Sequence, residues 1–173
     1  MTHHQPEKIE ALVRDALPGA RLRLEWFEEI DSTNTYLLAQ PDVDKRVVLT
    51  ECQTLGRGRR GRRWSAPPSS SVMLSLGWHL GGRSPSGLSL VVGLAIVDAL
   101  AGLGVRGVGL KWPNDLVTES GKLGGVLVEL NGERSVLGMG INVNIPTSSE
   151  LGITQPFTDL NSMGYLPDRD ACC

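Results

Sequence analysis

The chain has 173 residues, enough for one domain with a sizeable core, and its 40% hydrophobic and 21% charged content is that of an ordinary globular protein. Its formal net charge of −2 argues against a protein built to coat nucleic acid, and it has neither a signal-peptide pattern nor an apolar run of membrane length. Three cysteines, Cys52 in an apolar run and the adjacent Cys172 and Cys173, make neither a metal spacing nor a disulfide framework, so a reducing, cytoplasmic setting is expected. His3 and His4 lie in a polar N-terminus and read as tail residues.

Residues 6–17 place Ile9, Leu12, Val13 and Ala16 on one helical face, and Pro18-Gly19 ends the helix. Leu22, Leu24 and Trp26 alternate with charged residues and predict a strand. Asp31 or Ser32 then caps a helix running to about Gln40. Ser32, Thr33 and Asn34 read either as capping residues or as a helix N-terminus that holds a polar ligand group. Residues 46–52 are a β-branched run and predict a buried strand.

That strand delivers Gln53 into a loop with five arginines and three glycines between Gly56 and Arg63, closed by Trp64. Arginine presents a fixed, permanently charged fork that pairs bidentately with carboxylate or phosphate, and glycine lets the backbone approach a ligand. Gly56-x-Gly58-x-x-Gly61 matches a dinucleotide fingerprint only formally. Pro67, Pro68 and the serine run 69–71 cannot continue the helix that such a motif needs. The loop therefore reads as an anion clamp, or as a solvated basic segment that contacts nucleic acid. So polar a loop is expected to order on ligand binding.

Residues 71–80 alternate as a strand through Val72, Leu74, Leu76 and Trp78, and Gly81-Gly82 turns the chain. Residues 86–103 are the longest helical pattern and, being largely apolar, predict a buried helix. A Gly-spaced strand over 105–110 leads into Lys111-Trp112-Pro113-Asn114-Asp115, which reads as a plain turn or as an amide and a carboxylate offered to a ligand. Ser120-Gly121 and Asn131-Gly132 mark hairpins. Lys122 reads as an edge residue or, beside Gly124-Gly125, as a ligand contact. Gly138 and Gly140 with Asn142 and Asn144 are costly in a strand unless something, such as a ligand base, packs against them.

Together Asp31-Ser32-Thr33-Asn34, the Gln53 to Trp64 loop, Lys111-Trp112-Pro113-Asn114-Asp115, Lys122-Leu123-Gly124-Gly125 and Gly138-Met139-Gly140-Ile141-Asn142 resemble the biotin protein ligases, in that family's order, over residues of about 24 to 146. The resemblance implies an α+β fold, a mixed sheet backed by helices and related to class II aminoacyl-tRNA synthetases. It also implies ATP-dependent formation of biotinyl-5′-AMP, followed by transfer to a lysine of a biotin carboxyl carrier protein. By the same resemblance Ser32, Thr33 and Gln53 bind the ureido end of biotin, and Asn34 belongs to the biotin site. Arg57, Gly58 and Arg59 line its chain and the adenylate linkage, Trp64 forms a wall, and Gly125 lies beside Lys122. Lys122, Arg57 and Arg59 carry the chemistry. Arg60, Asn114, Asp115 and Asn142 join the ATP side: Asn114 and Asn142 face adenine, and Asp115 sits near the phosphates and the Mg²⁺ that accompanies ATP or holds an arginine.

A single catalytic domain over residues 1–173 is expected, without an N-terminal DNA-binding domain and without operator binding. Residues 166–170 look like a capped helix start, and the family's small C-terminal β-barrel is expected to be absent. On that expectation a biotin-binding module without turnover is one alternative, and a lipoate or octanoate transferase is another. No membrane partner is expected, and edge strands suit a homodimer.

Overall fold

Period-two patterning produces most of the architecture in the computed structural model, which describes residues 6–16, 19–146 and 155–165. The helical face anchored by Ile9 becomes α1 (Pro6–Ala16). The alternating stretch around Trp26 becomes β1 (Arg23–Ile30), longer than expected, and Ser32 caps the short helix α2 (Thr33–Leu38) by accepting a hydrogen bond from the Thr35 amide. The β-branched run is β2 (Arg46–Gln53), and the stretch after the arginine loop is β3 (Ser71–His79). The long apolar helix is α3 (Leu88–Gly102), followed by β4 (Gly109–Lys111), β5 (Asp115–Thr118), β6 (Gly121–Asn131) and β7 (Arg134–Asn142).

The seven strands form one mixed sheet in the order β1-β2-β3-β7-β6-β5-β4. Only β1 and β2 run parallel; the remaining pairs are antiparallel. Strand alternation sends Leu74, Leu76, Leu137 and Ile141 to one face, where α3 covers them, and Val48, Ser75, Val136 and Gly138 to the other, where α2 packs. The larger core lies under α3 and joins Val72, Ile96, Leu116, Leu123, Val126 and Leu160. Leu160 reaches it from residues 155–165, which run alongside the start of β6: the Lys122 amide donates to Pro156, and Lys122 accepts from Thr158.

Two expectations need correction. Helix α3 is not buried all round. Ile96 and Leu100 face the core, whereas Val91 and Leu94 are 61% and 55% exposed, because one sheet covers only one side of a helix that is apolar on every side. The strand expected over 105–110 shrinks to β4, because Gly104 and Gly107 take positive φ (88° and 76°) and turn the chain. Of the two readings of Lys122, the edge residue is removed, since β6 lies inside the sheet between β7 and β5. The capped helix start at residues 166–170, the Cys172-Cys173 pair and His3 and His4 lie outside the described residues.

Gly77 on β3 shows how tightly the site-bearing face is closed at its end. A methyl group there would collide with the Val43 carbonyl, while the Gly77 carbonyl accepts from the Lys45 amide at 3.0 Å. Gly77→Ala is expected to cost about 2–3 kcal/mol in urea unfolding, the usual range for overpacking against backbone. Gly109→Ala, where a methyl group meets open space, is expected to change stability by less than about 0.5 kcal/mol.

Candidate functional site

The N-terminus of α2, the arginine loop and the neighbouring strands β6 and β7 enclose one cleft. Its lining includes Ser32, Thr33, Asn34, Gln53, Arg57, Gly58, Arg59, Trp64, Asn114, Lys122 and Gly125, residues from every motif named from the sequence. Arg60, Asp115 and Asn142 are not part of the lining. Arg62, Arg63, Leu127, Met139 and Gln155 do line the cleft and were not anticipated.

At one end the groups are neutral and hydrogen-bonded. Gln53 Oε1 accepts from the Thr33 amide at 2.9 Å and from the Thr33 hydroxyl at 3.2 Å. Ser75, fully buried on β3, holds its hydroxyl 2.7 Å from Thr33 Oγ1 and 2.6 Å from Asn34 Oδ1. Asn34 Nδ2 in turn donates to Glu129 Oε2 at 2.9 Å. Fixing polar groups this way suits recognition of a neutral ligand end that both donates and accepts hydrogen bonds. Ser32 is a cap and a lining residue at once, so the two readings of that stretch are compatible.

The other part of the cleft is cationic. The arginine loop folds back on itself as a small hairpin: Arg57 pairs with Arg63, the Gly58 amide donates to Arg62, and the Trp64 amide donates to Gly56. A single 3-10 turn over Arg59–Gly61 puts Arg60 at φ 58°. No helix follows, which removes the dinucleotide-loop reading. Arg57 Nη2 lies 2.8 Å from Glu129 Oε1, and Arg59 Nη1 donates to Asn114 Oδ1 at 3.2 Å. Lys122 Nζ lies 2.7 Å from Asp115 Oδ1 and 5.9 Å from the centre of the Trp64 ring.

Each anticipated polar residue beside these cations has a protein partner. Asn114 accepts from Arg59 and donates to the Val126 carbonyl at 2.8 Å. Asp115 holds Lys122 rather than an arginine. The Asn142 amide donates to the Thr158 carbonyl at 3.0 Å and the Lys122 carbonyl at 3.4 Å, fastening residues 155–165 to the sheet. Among the described residues no three His, Cys, Asp or Glu side chains gather as metal ligands. Cys52 precedes Gln53, and burial, then the neighbouring Glu29, push its thiol above the ordinary range, which keeps it protonated and a poor nucleophile.

The strand glycines act differently from expectation. The groups packed against Gly138 and Gly140 belong to the protein itself. A methyl group at Gly138 would strike the Asn34 amide, and one at Gly140 would lie 2.6 Å from Trp64 Cζ2. Gly125 alone keeps ordinary clearance, 3.5 Å from both Asp115 Oδ1 and Lys122 Nζ. Sequence reading missed Ser75 and took Glu129 only as the end of the Lys122 stretch, with no site role. Their signal was parity: each is a polar residue between apolar neighbours, and each shares a strand face with motif residues.

A family model described as "Biotin/lipoate A/B protein ligase family" matches residues 26–145. The chain is similar to the bifunctional ligase/repressor BirA of Escherichia coli, with 40% identity over 82% of this chain and 47% of that protein. It is also similar to the biotin–[acetyl-CoA-carboxylase] ligase of Mycobacterium tuberculosis, with 37% identity over 96% of this chain and 66% of that protein. The chain thus spans about half the length of the first of these relatives and two thirds of the second. Among solved structures, the biotin protein ligase of Aquifex aeolicus in complex with biotin and ATP superposes with a TM-score of 0.78 at 31% identity, over 87% of this chain and 65% of that one. A putative lipoate protein ligase from T. acidophilum shares the fold, with a TM-score of 0.62 at 12% identity.

Gly140→Ala is expected to displace Trp64, seen as a loss of near-ultraviolet tryptophan dichroism and a cost of about 2 kcal/mol in urea unfolding. Gly125→Ala is expected to leave both within about 0.5 kcal/mol of the parent protein.

Proposed function

The chain belongs to the biotin/lipoate A/B protein ligase family, and from that premise we propose that it joins biotin to ATP as biotinyl-5′-AMP and passes the biotinyl group to a lysine of a biotin carboxyl carrier protein. The observation that carries this reading is the division of one cleft into a neutral hydrogen-bonding end at Thr33 and Gln53 and a cationic end at Arg57, Arg59 and Lys122. Biotin has the matching polarity: a ureido ring at one end, a carboxylate at the other and an apolar chain between. The names of the relatives, and the Aquifex ligase complexed with biotin and ATP, support the same substrates.

In the first step a biotin carboxylate oxygen attacks the α-phosphorus, a new P–O bond forms, and the bond to the leaving pyrophosphate breaks. Two anions must meet, so the principal barrier is electrostatic and positional. Lys122, steadied by Asp115 and by the Trp64 face, is proposed to hold the carboxylate and a phosphate oxygen together. Arg57 and Arg59 offset the charge that develops between them. In the second step the carrier lysine amine attacks the acyl carbon, AMP leaves, and the amine releases its proton. Neither step needs a protein nucleophile, which agrees with the protonated Cys52. Asn114 is proposed to serve by holding Arg59, and Asn142 by holding the backbone of Lys122, since their amides are engaged there.

Pyrophosphate release from ATP tests this reading. Release is expected to require biotin and to fall at least about 100-fold in Lys122→Ala, the scale on which one lost electrostatic contact acts at a reacting centre. Biotin bound without release would instead select a binding module. Release driven by lipoate but not biotin would select an acyl transferase of the lipoate type.

A further inference from the structure

Three buried side-chain oxygens lie in a row at the neutral end of the cleft. Ser75 Oγ is 2.6 Å from Asn34 Oδ1 and 2.7 Å from Thr33 Oγ1, and Ser75 is fully buried. At such separations each pair of oxygens needs a proton between them. The Asn34 amide has one orientation, because its Nδ2 faces two acceptors, Glu129 Oε2 at 2.9 Å and the Leu127 carbonyl at 3.3 Å. Asn34 Oδ1 therefore brings no proton, and the single Ser75 proton must point to it. The proton between Ser75 and Thr33 then comes from Thr33. The Gln53 oxygen lies 3.2 Å from the same Thr33 hydroxyl and is also an acceptor, because it takes the Thr33 amide at 2.9 Å. However the Thr33 proton is divided between Ser75 and Gln53, it stays within the protein.

We propose that Ser75 is a specificity-determining residue: by drawing the Thr33 proton inward, it lets the Thr33 hydroxyl meet a ligand only as an acceptor. Thr33 lines the cleft and Ser75 is wholly buried against it, so Ser75 acts through Thr33. The inference rests on the biotin-ligase reading for the identity of the ligand end. A cyclic urea suits such a hydroxyl, since its ring N–H donates where the oxygen can only accept. A ring that places an oxygen there, or the sulfur of a dithiolane, sets lone pair against lone pair and supplies no proton. Selection at this point works on one hydrogen atom and is independent of ring size or charge. Alanine at residue 75 would accept nothing, and the Thr33 proton could then turn towards the ligand.

The test compares binding of biotin to the full chain with that of its two cyclic carbamate analogues, each carrying oxygen in place of one ureido N–H. The parent protein is expected to bind at least one carbamate about 30-fold more weakly than biotin, the factor that one unpaired buried polar group represents. In Ser75→Ala that ratio is expected to drop below about fivefold, because the released Thr33 proton can reach the ring oxygen. Ser75→Cys fills the same space with a weak donor and acceptor, so it should lower the ratio too and serves where the alanine variant does not fold. A purely structural Ser75 would weaken biotin and carbamate alike, so an unchanged ratio in these variants would overturn the proposal. A parent protein that binds both carbamates as tightly as biotin would do the same. A second measurement needs no ligand. In urea unfolding, the unfolding constant of Thr33→Val combined with the Ser75 variant should fall about fivefold short of the product expected from the two single changes, since either one already removes the shared proton. Additive effects would show that the two hydroxyls share no proton, and the proposal would fall. If the parent protein fails to bind biotin, the ligase reading falls, while the coupling still decides whether Ser75 holds the Thr33 proton.

Discussion

The site rests on two missing methyl groups. Strand β7 crosses the floor of the cleft, and at Gly138 and Gly140 it presents bare backbone to Asn34 and to the Trp64 ring. Because both glycines lie on one face of one strand, α2 and the end of the arginine loop settle side by side against the same surface. A side chain at either position would lift one of them away. Thr33, Gln53 and Ser75 depend on the seating of α2, and the contact between Lys122 and Trp64 depends on the seating of the ring. Dense packing thus comes before the hydrogen bonds and ion pairs, which are worth little until their partners are fixed.

Local patterning made the strands legible. The alternation in β1 and β3, the Ser32 cap and the turns at Ser120 and Gly132 all follow from side-chain period and backbone preference. The order of the strands was not legible, because it depends on pairing between distant segments; for Lys122 only the sheet order separates an edge position from the interior one. Helix α3 shows the opposite limit. Its composition was read correctly, but how much of an apolar helix is covered depends on what packs against it.

Much of the lining could be named because the motifs are dense in glycine and charge, residue types that are rarely clustered without cause. The partners could not be named. Asn114, Asp115 and Asn142 invite assignment to a ligand, because an amide or carboxylate in a turn advertises itself. In the folded chain each has a protein partner: Arg59, Lys122, and the carbonyls of Lys122 and Thr158. Glu129 and Ser75, which hold the most consequential side chains, sit in apolar runs where a lone polar residue is easily passed over. A polar residue on the wrong parity of a buried strand is therefore a better signal of site architecture than a polar residue in a turn.

The pairing of Arg57, Arg59 and Lys122 with internal acceptors limits their mutual repulsion within one cleft of a chain whose net charge is −2. Unpaired, Arg57, Arg59 and Lys122 would repel one another and favour an open loop. Glu129 and Asp115 cancel two of those charges, and the Asn114 carbonyl dipole offsets the third. The acceptors stand on β5 and β6 or in the turn that joins β4 to β5, so the cations are tied to the sheet rather than to one another. An anion entering the cleft meets cations whose acceptors are fixed on the sheet. Such a field can favour the crowded charge of a phosphoryl-transfer transition state over its separated ground state, because its donors are spaced by the strands and not by the ligand.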